Sequence, residues 1–195
     1  NYAYGELFNE INMSTGGIGT SLEVYPNVTK VSEKEFKAAF EVKTKALYDK
    51  LPVAFQMIRE LLMESKFEDE KRLEEILALL KSRLQMKFQS SGHMTAVLRA
   101  MSYRSPMSQF KDLTNGIAFY EKVCKIADHF EEEKAALIMN LKKLSEQMFR
   151  ADNIVISCTS RKEGLEELEK LIRELKNGIY QGTADHTPCI LHCEK

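Results

Sequence analysis

The sequence predicts an α+β domain of two layers, in which helices pack on one face of a mostly antiparallel sheet. Two segments of alternating apolar and polar residues come early, a long block of helical apolar repeats follows, and a β-branched segment with one more helix completes the order. Three strands are few for a sheet that supports this much helix. We therefore expect further strands, either upstream of residue 1 or in the tail.

The chain opens with a helix and two strands. Four apolar residues at helical spacing indicate the helix: Tyr4, Leu7, Phe8 and Ile11. The first strand is predicted where the alternate residues are Ile18, Thr20, Leu22 and Val24, and the second where they are Phe36, Ala38, Phe40 and Val42. Gly16-Gly17 ends the helix, and the short gap after Pro26-Asn27 favours an antiparallel pair.

Residues 51–148 carry successive apolar stripes at helical spacing, which predict a run of helices. The acidic segment Glu68-Asp69-Glu70 suits a helix N-terminus. Pro106 stands where the first turn of a helix tolerates proline. These positions divide the block into helices joined by short connections.

The last elements are predicted as a strand followed by a helix. Residues 154–158 are mostly β-branched, which predicts the third strand. Ser160 and Glu163 have capping-box spacing, and Asn177-Gly178 closes the helix that they open.

The charge balance argues against several classes of partner. The chain has 28 Lys and Arg against 29 Asp and Glu, so charge gives no reason to expect a nucleic-acid or acidic-membrane partner. No apolar run approaches the roughly 20 residues that span a bilayer. Four cysteines without a dense pattern favour a cytoplasmic setting. The start has neither an initiator Met nor a signal peptide, and we expect a chain cut from a longer protein.

Zinc-peptidase chemistry of this kind needs two histidines one helical turn apart beside a carboxylate. The sequence contains neither the motif H-E-x-x-H nor its inverted form H-x-x-E-H. His129 precedes three glutamates and indicates a solvated acidic junction between helices. His93 follows Gly92 and is predicted in a loop, with a structural or capping role. The sequence therefore offers no catalytic residue.

The tail supplies the one alternative metal site. His186, Cys189, His192 and Cys193 are soft ligands close together, and zinc accepts both residue types. However, His192 and Cys193 are adjacent, whereas structural zinc sites usually spread two ligand pairs over a longer loop. A strand-like segment with incidental cysteines is the simpler interpretation.

Two further chemistries lack support. Cys124 and Cys158 lie in apolar segments without an activating signature, so buried, inert thiols are expected. Gly16, Gly17 and Gly19 lack a phosphate-loop Lys-Ser/Thr, and they are expected to end a helix and open a strand.

Several segments resemble the pitrilysin/insulinase-type zinc metallopeptidases: Glu6-Leu7, residues 11–22 and a set within residues 80–157. Residues 11–22 contain Thr-Gly-Gly-Ile at a helix-to-strand passage. A further set resembles the presequence-protease subgroup: Leu80-Lys-Ser-Arg-Leu84, Ser90-Ser-Gly-His-Met-Thr-Ala96, Arg99-Ala100, Ser102-Tyr103, Ser105-Pro106, Thr114-Asn-Gly-Ile117 and Phe119-Tyr120. Asn153-Ile-Val-Ile-Ser157 resembles the last strand of such a domain. The resemblance runs from about Tyr4 to Gly178.

The resemblance implies a fold and a setting. Enzymes of this family have two similar halves that close around a chamber, with zinc in the N-terminal half. This segment resembles the third domain, a mitochondrial-processing-peptidase-like domain in the C-terminal half that has lost the zinc motif. The implied role is to shape the chamber, to help bind unfolded peptides and to exclude folded proteins. The implied partners are the N-terminal catalytic half and the peptide substrate.

The resemblance also sets expected boundaries. Residues 1–178 correspond to the domain, truncated at its N-terminus, and residues 179–195 to a linker or the start of the next domain. An incomplete sheet exposes an edge, so self-association is expected. Two alternatives stay open: a stand-alone protein-interaction module, and a small zinc-binding protein that uses the tail.

Overall fold

The computed structural model describes residues 4–26, 36–183 and 191 of the chain. Within these residues the protein is mostly helical. The elements are α1 (Tyr4–Ser14), β1 (Ile18–Pro26), β2 (Phe36–Thr44), α2 (Leu51–Met63), α3 (Glu70–Ser90), α4 (Gly92–Ser102), α5 (Pro106–Asn115), α6 (Ile117–Asp128), α7 (Phe130–Met148) and α8 (Leu165–Asn177). Short 3₁₀ turns, Tyr48–Lys50 and Lys162–Gly164, precede α2 and α8.

The predicted helices are confirmed, and their starts follow from local chemistry. The Asp69 carboxylate accepts a hydrogen bond from the Arg72 backbone N–H at 3.0 Å and caps α3. Ser105 takes the same role for α5, which has Pro106 in its first turn. The predicted capping box at Ser160 is wrong, because its hydroxyl donates to the carbonyl oxygen of Arg161 instead.

The two early strands form a small antiparallel sheet, as predicted. Gly17 links α1 to β1 with a φ of 94°, a conformation that glycine adopts without strain. The Gly16 N–H donates to the carbonyl of Lys45 at 2.7 Å, and the Thr44 hydroxyl donates to the carbonyl of Gly17 at 2.9 Å. The glycines therefore end a helix and open a strand, as expected.

The predicted burial of one face of these strands is only partly observed. Ile18, Phe36 and Val42 are half-buried, but Leu22 and Phe40 are exposed. At the start of β2, the Phe36 ring packs against Phe110 of α5 with 5.6 Å between the ring centres. The described sheet thus matches an α+β composition without showing a complete two-layer arrangement.

The predicted third strand at residues 154–158 is wrong for the described part of the chain. This segment belongs to no sheet there, and Val155 is 87% exposed. β-Branched residues favour extended backbone, but a strand also needs a neighbour that completes its hydrogen bonds. Just before the segment, Arg150 and Tyr180 form a single parallel bridge.

The described helices form two packed groups. In one, α3 and α6 pack together, and the core contains Leu77, Leu84, Val123 and Phe130. In the other, α2 packs with α8, whose buried side chains are Leu168, Leu171 and Leu175. These leucines are three or four residues apart and form one apolar stripe of α8. None of the helices described is long and apolar enough to cross a membrane.

Candidate functional site

The two histidines that lie among the described residues are not brought together as a metal site. His129 is the residue between α6 and α7, and its Nδ1 lies 4.0 Å from Glu132, which confirms the predicted solvated acidic junction. His93 is an exposed residue in the first turn of α4, so the predicted loop position is wrong. The physical reason is that Ser91 alone separates α3 from α4. The residues described contain no group of three or more His, Cys, Asp and Glu that could hold a metal ion.

The alternative zinc ligands, His186, Cys189, His192 and Cys193, lie outside the described residues.

The two cysteines that are described differ from each other. Cys124 is half-buried on α6, where its hydrogen bond with the phenol of Tyr120, with a smaller contribution from burial, raises the pKa of Tyr120. Cys158 is exposed, so its predicted burial is wrong. It lies in the segment that lacks a paired strand, and this explains the exposure.

The most structured polar site is a buried ion pair between α4 and α5. Arg99 Nη1 donates to Asp112 Oδ2 at 2.6 Å, and Asp112 is 1% exposed. The hydrogen bond from Arg99 to Asp112 raises the pKa of the guanidinium, against the opposing effect of its burial. The guanidinium carbon also lies 5.2 Å from the centre of the Tyr103 ring, a cation–π distance.

The second oxygen of Asp112 holds the next helix. Asp112 Oδ1 accepts a hydrogen bond at 3.0 Å from the backbone N–H of Ile117, the first residue of α6. Gly116 precedes it and packs so closely that an added Cβ would lie 2.1 Å from Asp112 Oδ1. On the other side, Lys87 Nζ donates to the carbonyl oxygen of Asn115 at 3.0 Å, at the end of α5. The α5–α6 turn is therefore fixed by charge, capping and close packing.

The geometry of this turn suits a structural role. Each carboxylate oxygen of Asp112 accepts a hydrogen bond, and the Asp112 carboxylate balances the charge of Arg99. The cavity beside them, lined by Arg99, Ser102 and Tyr103 among others, is about 90 Å³. Ligand pockets usually measure about 300–1,000 Å³. We assign the Arg99–Asp112 pair to holding the helices rather than to chemistry.

The motif residues that carry the family resemblance therefore have a physical explanation. Arg99, Ser105 and Gly116 are an ion-pair partner, a helix cap and a close-packed turn residue of one structure. Asp112, at the centre, was missed from the sequence. No local signal indicates it, because it lies within α5 and its partners come from α4 and from the start of α6.

A second close contact fixes the chain just before α8. The backbone N–H of Arg161 donates to the hydroxyl of Tyr48 at 2.8 Å. Gly164 packs against the same ring, since a Cβ there would lie 2.3 Å from it. This contact holds the start of α8 and has no chemistry of its own.

Exposed ion pairs surround the helices without forming a reactive centre. Lys81 Nζ lies 2.6 Å from Asp128, and this hydrogen bond raises the pKa of Lys81. Lys134 contacts both Glu131 and Glu70, at 2.8 and 2.7 Å, and these bonds raise its pKa well above the usual range. Surface pairs of this kind contribute little to the stability of the fold, because solvent screens them.

Comparison with known proteins gives a family match. The family described as peptidase M16 (subfamily C) associated matches residues 1–126 of the chain. This is well over half of the sequence, and it includes the ion pair, the α5–α6 turn and most of α6.

The similar proteins are much longer than this chain. Protein HypA of Clostridium perfringens is 28% identical over 175 residues, which cover 90% of this chain and 18% of that protein. The mitochondrial presequence protease of Drosophila melanogaster is 29% identical over 117 residues, 60% of this chain and 11% of that protein. The mouse mitochondrial presequence protease is 20% identical over 189 residues, 97% of this chain and 18% of that protein. The chain thus spans less than a fifth of each of these relatives.

Proposed function

This chain belongs to the family of domains associated with M16 peptidases of subfamily C, and we propose that it is a non-catalytic, chamber-forming domain of a larger zinc-dependent endopeptidase that degrades unfolded peptides. The predicted resemblance to presequence proteases is confirmed by relatives that bear this name. The proposal is supported by the family match together with the difference in length between this chain and its relatives. The match covers 18% of the mouse relative, so the rest of that protein is long enough to contain a separate catalytic part.

The chemistry of the parent protein is assigned to its other half. The described residues contain no group of three or more His, Cys, Asp and Glu that could hold a metal ion. In this proposal zinc and the general base belong to the N-terminal half. The polar groups of this chain maintain the shape of its helices, as Arg99 and Asp112 do.

The proposal extends to the fold and the boundaries. We place the domain at residues 1–178 and a linker, or the beginning of a further domain, at residues 179–195. The unpaired segment 154–158 suits a sheet that strands from elsewhere in the parent complete. The finished sheet and the helices would then make two layers, as in mitochondrial processing peptidase.

The partners follow from the same reasoning. They are the N-terminal catalytic half and unfolded peptides, and the name presequence protease points to targeting peptides as one class of them. We propose a cytoplasmic location, although several relatives are named as mitochondrial proteins. In isolation the chain is expected to self-associate through its unpaired strand edges, which sedimentation velocity would detect as species heavier than a monomer.

Complementation tests the proposed function. The parent protein without this segment should lose hydrolysis of a quenched fluorescent, unfolded peptide, and the purified 195-residue chain added in trans should restore part of it. The chain by itself should hydrolyse nothing above the blank, with or without added zinc. Chelator-sensitive hydrolysis that stays with the chain through purification to homogeneity would overturn the proposal. So would full activity of the parent without the segment.

A further inference from the structure

The sequence contains two Asn-Gly dipeptides, Asn115-Gly116 and Asn177-Gly178. Asparagine is thermolabile because the backbone nitrogen of the next residue can attack its side-chain amide carbon. Glycine favours this attack, since it has no Cβ to shield the nitrogen and its backbone moves easily. Each of these asparagines is the last residue of a helix, α5 for Asn115 and α8 for Asn177. The fold therefore decides whether these two sensitive positions react.

The reaction is deamidation, and it needs only the chain and water. The Gly116 nitrogen forms a bond to Asn115 Cγ, the bond from Cγ to the amide nitrogen breaks, and the proton of the Gly116 N–H leaves with that nitrogen as ammonia. Water then opens the cyclic imide that results. Opening at one carbonyl gives aspartate, and opening at the other gives isoaspartate, in which the backbone runs through the former side chain.

The folded α5–α6 turn restrains the attacking nitrogen. The Gly116 N–H donates to the carbonyl oxygen of Asp112 at 2.9 Å, as the last helical hydrogen bond of α5. A helical side chain is tilted toward the N-terminus of its helix, so the side chain of Asn115 leads away from the nitrogen that follows it. The next N–H, that of Ile117, donates to Asp112 Oδ1 at 3.0 Å. Asp112 thus holds two successive N–H groups in place.

The amide group that would be attacked is restrained as well. Lys87 Nζ of α3 donates to Asn115 Oδ1 at 2.8 Å and to the Asn115 carbonyl oxygen at 3.0 Å. Gly116 also packs closely, since an added Cβ would lie 2.8 Å from the Cα of Asp112. Neither reactant can approach the other until these contacts separate, so the turn has to open before Asn115 reacts.

We propose that Asn115 is a deamidation site controlled by opening of the α5–α6 turn, and that its isoaspartyl product keeps the turn from closing again. The rate then follows the population of the locally opened state. Aspartate at this position places a carboxylate beside Lys87 and fits the turn. Isoaspartate lengthens the backbone by a methylene, where Gly116 has no space even for a Cβ. The reaction requires no partner, so it does not depend on the proposed function.

Peptide mapping by mass spectrometry tests the control by folding. The 195-residue chain is kept in mildly alkaline buffer, either folded or unfolded in guanidinium chloride, and the conversion of Asn115 is followed with time. Deamidation of Asn115 should be at least about tenfold slower in the folded chain than in the unfolded chain. Equal rates in the two states would overturn the proposal.

Two variants should open the turn to different extents. Asp112→Ala removes both side-chain hydrogen bonds at the centre of the turn and should speed deamidation of Asn115 in the folded chain at least about tenfold. Lys87→Met releases only the Asn115 side and should speed it about threefold. The matched control is Lys71→Met, which removes the same charge from an exposed position of α3 and should leave the rate unchanged. An unchanged rate in Lys87→Met would contradict the proposal even if Asp112→Ala does not fold.

Asn177 is the internal control in every sample. The Gly178 N–H is bonded to carbonyl oxygens of α8, and Lys87 and Asp112 do not contribute to that bond. Deamidation of Asn177 should therefore stay unchanged in Lys87→Met. If both asparagines accelerate equally there, the reaction proceeds through unfolding of the whole chain, and control by the α5–α6 turn is refuted.

The product is tested by comparing two forms of residue 115. The Asn115→Asp variant should keep the urea midpoint of the unmodified chain, because Lys87 can pair with the new carboxylate. The purified isoaspartyl form should unfold at a lower urea concentration, because the longer backbone does not fit the turn. An isoaspartyl chain as stable as Asn115→Asp would show that the turn closes over the product, against the proposal.

Discussion

Two connections in this molecule behave in opposite ways. At the α5–α6 turn, Asp112 is buried, both of its carboxylate oxygens have partners, and Gly116 has no space for a Cβ. In segment 154–158, Val155 and Cys158 are exposed and no strand of the described chain lies alongside. The first connection is complete within the chain, whereas the second has strand-forming residues without a strand partner.

The difference reflects how helices and strands satisfy their backbones. A helix bonds each N–H to a carbonyl four residues earlier, so a helical turn needs only local caps and packing. A strand takes its bonds from a neighbour that can lie far away in sequence. Stability should therefore concentrate in the helices around the Arg99–Asp112 pair, and the strand-forming residues should contribute less in this chain.

The largest expected loss of stability is that of Asp112→Ala, which disrupts the α5–α6 turn. The change leaves Arg99 without its partner and Ile117 without its cap. Removal of one partner of a buried pair costs about 3–5 kcal/mol, and we expect about 3 kcal/mol because the Arg99 side chain is 38% exposed and can reach water. The free energy of unfolding from urea denaturation measures it.

The matched control for Asp112→Ala is an exposed pair. Glu75→Ala removes the partner of Arg72 on α3, with both side chains largely in solvent. It should change the free energy of unfolding by less than about 0.5 kcal/mol. A similar small change for Asp112→Ala would mean that the α5–α6 turn is not held as described.

Gly116→Ala tests the close packing of the same turn. The new Cβ would lie 2.8 Å from the Cα of Asp112 and 2.1 Å from its Oδ1, and backbone cannot give way as a side-chain tip can. Overpacking of this kind costs about 1–3 kcal/mol, and we expect about 2 kcal/mol in the same denaturation assay.

The control for Gly116→Ala is Gly92→Ala in the first turn of α4. No atom lies within 4 Å of a Cβ added at Gly92, so the substitution should be neutral or slightly stabilising. If the two alanine variants have equal stability, steric crowding at Gly116 is refuted.

One substitution made in both regions sharpens the comparison further. Val123→Thr puts a hydroxyl into the core of α3 and α6, where Val123 is 3% exposed, and should cost about 1–2 kcal/mol. Val155→Thr makes the same change at an exposed position and should cost less than about 0.5 kcal/mol. Thermal melts of the two variants compare them directly, and equal losses would show that segment 154–158 packs within this chain.

The sequence predicted the local features of the fold well and the long-range ones poorly. Apolar spacing, Asp69 and Pro106 predicted helices that the structure confirms, because those signals act within a few residues. The third strand failed because residues 154–158 have the right propensity, but a strand partner cannot be inferred from propensity.

The candidate site shows the same division. The motif residues Arg99, Ser105 and Gly116 were recognised by resemblance, but their common centre, Asp112, was not. A buried ion pair joins residues from two helices, and no local pattern indicates which carboxylate will be buried. The exposure of His129 was predicted correctly, because the charged glutamates that follow it favour contact with water.

The smallest expected effect concerns the pH dependence of an exposed pair in the helical region. Lys125 Nζ lies 2.9 Å from Glu133, and this hydrogen bond lowers the pKa of Glu133. A carboxylate with a lowered pKa in the folded state stabilises the protein above its unfolded pKa, and loses this effect as the pH falls through the folded value. Glu133→Gln should therefore reduce the loss of stability between about pH 5 and pH 3.

The measurement is the urea midpoint of the unmodified and variant chains across that range of pH. Lys125→Met removes the cause of the shift while it keeps the carboxylate, so it should flatten the same part of the curve. The effect should stay well below that of Asp112→Ala, because the Lys125 side chain is exposed and solvent screens the pair. If Lys125→Met leaves the acid limb unchanged while Glu133→Gln flattens it, a group other than Lys125 sets the pKa of Glu133.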